Sequence, residues 1–178
     1  MLHYCFIFCL YMMNKMSKIL ISACLLGEKV RYDGKDNLQT HQRLQSWVKA
    51  GLVLMICPEM AGGLPTPRPA SEIQPQRSAS DVLQGKAKTL NVKGDDVTAE
   101  YVTGAHKALV LAQKNNIKVA ILKARSPSCG ARQIYDGSFS GKLVDGQGIT
   151  AALLLQHGIQ VFDEGEIDEA LDMAESLT

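Results

Sequence analysis

From Lys18 onward, short unbroken apolar runs alternate with stretches whose apolar positions recur every three or four residues. Residues 18–22, 52–56, 119–122 and 159–162 are the runs. Such runs suit strands covered on both faces, the condition of a parallel sheet. Helical spacing lies between them. Residues 38–50 carry Leu44, Trp47 and Val48 on one face, with Gly51 as the stop. Residues 98–115 place Val102, Ala105, Leu109 and Ala112 together. Residues 149–157 form a third helix, ended by Gly158. Residues 166–177 form the last, with Ile167, Ala170, Leu171 and Ala174 inward. Strands alternating with helices predict a single doubly wound α/β domain, its mostly parallel sheet carrying helices on both faces.

Two stretches break the alternation. Residues 58–75 are rich in Pro and Gly and read as a long ordered loop, a feature compact domains usually keep for function. Residues 79–92, around Gly85-Lys86, and 133–142, around Asp136-Gly137, read as hairpins.

The first residues fit no element of this plan. Met1 to Met13 is apolar and holds Cys5 and Cys9, but the lysines follow this run instead of preceding it, the reverse of a secretory signal. Ile21-Ser-Ala-Cys24 resembles the end of a lipoprotein signal, yet only residues 19–23 form the apolar run beside it, which is too short for a signal core. Residues 1–15 therefore read as an upstream extension, and 16–178 as the domain.

Charge changes the picture little. A net charge of +1 supplies no basic excess, so neither nucleic acid nor an anionic membrane is an expected partner. Five cysteines with no CxxC pair argue against a zinc ribbon or a thioredoxin-like motif. A chain of 178 residues folds on its core without disulfides, so free thiols in a reducing cytoplasm are expected.

Three of those cysteines share a topological address. Cys24 lies just past the first predicted strand, Cys57 directly follows the second, and Cys129 follows the third by a short turn. In open parallel sheets the crevice beyond the carboxyl ends of the strands is where ligands bind. Three thiolates converging there favour an iron–sulfur cluster, zinc or copper(I). Three protein ligands on a cluster that commonly takes four leave one iron open, as catalytic metal centres require. The competing reading is three buried, inert thiols.

Other polar residues sit at the same strand ends. Glu59, two residues after Cys57, suits a general base, or equally an acidic residue at a helix start. Ser126 and Ser128 flank Pro127 and can bind a ring or cap the turn. Arg31 and Asp33 follow the first strand and suit polar substrate atoms, although Asp33-Gly34 is also a turn signal. Gly141-Lys142 lacks the Ser or Thr of a P-loop, and Gly146-Gln-Gly148 lacks the third glycine of a dinucleotide fingerprint. His41, His106 and His157 are scattered on predicted helices and read as surface or helix-end residues.

Ser22-Ala-Cys-Leu-Leu-Gly27, Arg31-Tyr-Asp-Gly34, Cys57-Pro-Glu59, Ala61-Gly-Gly-Leu-Pro-Thr-Pro-Arg68 and Ser126-Pro-Ser-Cys-Gly130 together resemble the thiouracil desulfurase family. The resemblance runs from Met16 to about Asp163. It implies an α/β fold and a 4Fe-4S cluster on Cys24, Cys57 and Cys129, a cofactor labile enough to be lost from an aerobically prepared crystal. It also implies that the open iron takes the sulfur of a thiolated pyrimidine, with Glu59 and Ser126 at catalytic positions. The implied reaction is non-redox, thiouracil giving uracil and sulfide. Three rivals remain at this point: a cluster-bearing sulfur-transfer or tRNA-processing enzyme, a non-enzymatic iron–sulfur sensor or accessory protein, and a metal-free nucleotide-binding α/β protein.

Overall fold

A computed structural model describes residues 17–177. The expectation for residues 1–15 lies outside the described residues.

Four strands form the central sheet: β1 (Ile19–Ser22), β2 (Val53–Ile56), β5 (Val119–Leu122) and β8 (Gln160–Asp163). Their order is β2-β1-β5-β8 and every pairing is parallel. The four predicted apolar runs are these four strands. β1 and β5 lie in the middle and are buried along their whole length, which is why their sequences are continuously apolar.

Helices cover both faces. On one face α1 (Gln42–Lys49) and α6 (Ile167–Ser176) pack Leu44, Trp47, Ile167, Ala170, Leu171 and Ala174 against Ile19, Ile21, Val119 and Ile121. On the other, α4 (Thr98–Lys114) and α5 (Ile149–Gln156) bury Ala105, Ala108, Leu109, Ala112 and Leu154 with Leu20, Ala120 and Leu122. The odd and even residues of β1 thus serve opposite cores, as the two-residue period of a strand dictates. α1 begins at Gln42, later than expected, and Val48 is exposed.

The sequence reading errs in two loops. Residues 79–92 are not a hairpin: they form α3 (Ala79–Leu83), with Ser78 in a capping box with Asp81, followed by β4 (Thr89–Asn91). β4 pairs antiparallel with β3 (Ser71–Ile73), which lies inside the stretch expected to be loop. That stretch also holds α2 (Pro58–Gly62), started by Pro58 at its first turn. The second expected hairpin does form, from β6 (Gln133–Tyr135) and β7 (Leu143–Asp145).

Two backbone contacts position the loops at the sheet's carboxyl end. α2 meets α4 backbone to backbone at two glycines: a Cβ on Gly62 would stand 1.9 Å from Glu100 O, and one on Gly104 would stand 2.0 Å from Pro58 O. Lys107 Nζ also donates to Ala61 O at 2.7 Å. At the start of α5, Gly148, Ile149 and Thr150 donate their N–H groups to the carbonyls of Gly130, Pro127 and Ser128. These helix-start donors have no partner within the helix, so they clasp the loop that carries Cys129.

Candidate active site

The carboxyl ends of β1, β2 and β5 open into a cavity of about 510 Å³. Cys24, Cys57 and Cys129 all line it, as do Glu59, Arg68 and Ser126. Each cysteine arrives by a different local device. Cys24 sits in a 3-10 turn (Ala23–Leu26) that Gly27 ends in the left-handed conformation. Cys57 is the N-cap residue just before α2, and its thiol donates to Val30 O at 3.8 Å. Cys129 follows the Ser126 turn, and the Ser22 hydroxyl at the end of β1 bonds to it. Cys24 belongs to the α1/α6 core and Cys129 to the α4/α5 core, so these two thiols reach the crevice from opposite faces of the sheet.

All three thiols are free. Burial, with the nearby Cys57 next, pushes the Cys24 thiol up to about 11. Burial raises Cys57 as well, and complete burial drives Cys129 far above the ordinary thiol range. Buried thiols of this kind ionise readily only when a cationic centre stabilises them. Three thiols bordering one cavity are a soft donor set, of the kind that suits an iron–sulfur core.

Glu59 is held from two sides. Arg68 Nε donates to Glu59 Oε2 at 2.8 Å, and its NH2 group closes on the same oxygen. The Arg68 side chain is 4% exposed and that of Glu59 12%. Arg68 NH1 donates to the carbonyls of Val30 and Pro65 and to Thr66 Oγ1, each at 3.1 Å. On the other oxygen, Ser126 Oγ donates to Glu59 Oε1 at 3.3 Å while accepting the N–H groups of Ser128 and Cys129. Tyr101 borders the same space; burial first, then the Glu59 charge, keep its phenol protonated.

The sequence profile of the 2-thiouracil desulfurase family matches residues 19–166. The chain belongs to that family. It is similar to the uncharacterised protein YbbK of Bacillus subtilis (strain 168), 43% identical over 153 residues that span 86% of this chain and 99% of YbbK. Among solved structures it resembles the 4Fe-4S-dependent thiouracil desulfidase TudS, with a TM-score of 0.81 and 45% identity, covering 91% of this chain and 99% of that one.

Not every expected site residue of this desulfurase-family chain reaches the cavity. Arg31 lines it, donating to Asp36 O and to Asp33 Oδ2, both at 3.4 Å. Asp33 lies outside the lining and accepts Lys35 N–H, so it orders the turn. Ser128 corrects its expectation: it is fully buried, and its hydroxyl pairs with Thr150 Oγ1 at 2.9 Å, not with anything in the cavity. Sequence reasoning missed Arg68, although it ends the Ala61–Arg68 motif; an Arg closing a Pro-rich loop a few residues after Glu59 was the available signal. Glu72 lines the cavity too, and no pattern pointed to it.

Proposed function

We propose that this chain hydrolyses the C–S bond of a thiolated pyrimidine, giving the oxo-pyrimidine and hydrogen sulfide, with a 4Fe-4S cluster held by Cys24, Cys57 and Cys129. One observation carries the proposal: three free thiols from three strand ends border the same cavity as an ion-paired carboxylate. The family and the TudS likeness support the same reaction.

When bound, the cluster supplies an iron with no protein ligand, a Lewis acid for the substrate sulfur. The residues of the chain do the proton work. Glu59 Oε1 takes a proton from the attacking water, since Oε2 is committed to Arg68. Ser126 Oγ orients Oε1 and offers a route for that proton back toward the departing sulfur. The water gives its oxygen to the ring carbon and its two protons to sulfide, so no electron enters or leaves. The pyrimidine is read as a small molecule: a net charge of +1 provides little for an RNA backbone. Cytoplasmic residence is part of the proposal and rests on the free thiols. No helix among the described residues is long and apolar enough to cross a membrane.

The test is sulfide release from 2-thiouracil by anaerobically reconstituted protein. Glu59→Gln should keep the visible cluster absorbance and lose about 100- to 10,000-fold in kcat. Full activity in that variant removes Glu59 as the base. A loaded wild-type protein that releases no sulfide points to the sensor reading instead.

A further inference from the structure

The cavity wall contains a carboxylate that the reaction above does not use. Glu72, the middle residue of β3, is 8% exposed and borders the cavity. Its Oε2 accepts the Phe139 N–H at 3.1 Å. Among the described residues, no basic side chain stands within ion-pair distance of Glu72. Among the described residues no group donates a hydrogen bond to its Oε1, that oxygen is not sealed from solvent, and the residue lines the cavity. Glu59 has Arg68, and Glu164 near Cys24 has Lys123, so Glu72 differs from both. A buried carboxylate with one backbone donor and no counter-charge is costly to keep. Folds retain such groups where a ligand completes them.

The donor that Glu72 holds is itself informative. Phe139 stands at φ +58°, a left-handed conformation that a bulky side chain seldom adopts. Its ring is partly exposed and borders the same cavity, as does Tyr135 from the same hairpin. Glu72 therefore holds the backbone of an aromatic residue that lines the same cavity.

We propose that Glu72 Oε1 is the acceptor for a ring N–H of the substrate, with Phe139 offering an apolar face to the ring. The assignment rests on the reading that the substrate is a thiolated pyrimidine, whose ring carries N–H groups flanking the thiocarbonyl carbon. It selects rings with a donor at that position, of the uracil type, over rings that present a bare nitrogen there.

Glu72→Gln separates this role from a structural one. The glutamine oxygen still accepts the Phe139 N–H, while its amide turns a donor toward the cavity. Titration calorimetry of uracil into anaerobically reconstituted protein should show affinity reduced about 10- to 100-fold, the range for a hydrogen bond to a charged group. KM for 2-thiouracil should rise by the same factor, with kcat, melting temperature and cluster absorbance per chain near wild-type values. A second arm needs no variant: of 1-methyl- and 3-methyl-2-thiouracil, the one methylated at the recognised nitrogen should bind wild-type protein at least about 10-fold more weakly than the parent. Equal uracil affinity in Glu72→Gln and wild type, or equal wild-type affinity for the parent and both methylated rings, overturns the assignment alone. A wild-type protein that takes up neither uracil nor 2-thiouracil overturns the substrate reading, and this assignment with it.

Discussion

Arg68 occupies one oxygen of Glu59 and leaves the other to Ser126. This division orients the carboxylate. The guanidinium fork also binds the Val30 and Pro65 carbonyls, so the loop after β1, the Pro-rich loop and α2 all meet at one side chain. An ammonium has a single charge centre and cannot hold that many partners in fixed directions.

Arg68→Lys is therefore expected to fold and to lose about 100-fold in kcat, the scale of a misplaced catalytic group. Arg68→Met should do worse, because removing one partner of a buried pair costs about 3–5 kcal/mol. Steady-state sulfide release and urea unfolding check the two effects separately. Arg68→Lys with wild-type kcat refutes the positioning role.

Gly104→Ala tests how α2 is seated. Alanine favours an exposed helix interior by about 1 kcal/mol over glycine. At this position its Cβ would meet Pro58 O at 2.0 Å, and backbone cannot move aside as a flexible side chain does. Overpacking of this kind costs about 1–3 kcal/mol, so the clash outweighs the propensity gain. The variant should melt at lower temperature and hold less iron per chain, because α2 carries Glu59 and Cys57 directly precedes it. A more stable Gly104→Ala protein would contradict the close helix contact.

The raised thiols make two pH predictions. Metal uptake must displace protons from Cys24, Cys57 and Cys129, so reconstitution should improve from pH 7 to 9 and weaken on acidification. In metal-free protein, Cys24 keeps its proton up to about pH 11, while the unfolded chain loses it near 9.0. The folded chain then binds more protons across that window, so metal-free stability should fall as pH rises from 9 to 11. Iron content per chain and urea midpoints across pH measure both; loading that does not change with pH would argue against thiolate ligation.

Periodicity exposed the frame. Continuous apolar runs marked strands covered on both faces, and three-to-four spacing marked the buried sides of α4 and α6, because burial leaves its trace at local intervals. The cysteine addresses were readable for the same reason: each lies a few residues beyond a strand, and parallel strands end on one side. β3 and β4 were misjudged because three-residue strands carry too few positions for a period, and their pairing joins residues 71–73 to 89–91. Ser128 was misjudged because its partner, Thr150, enters from α5. The Arg68–Glu59 clamp, the open oxygen of Glu72 and the glycine contact of α2 with α4 depend on how distant segments cross. Those crossings are products of close packing, and packing specifies which side chains meet only after the chain has folded.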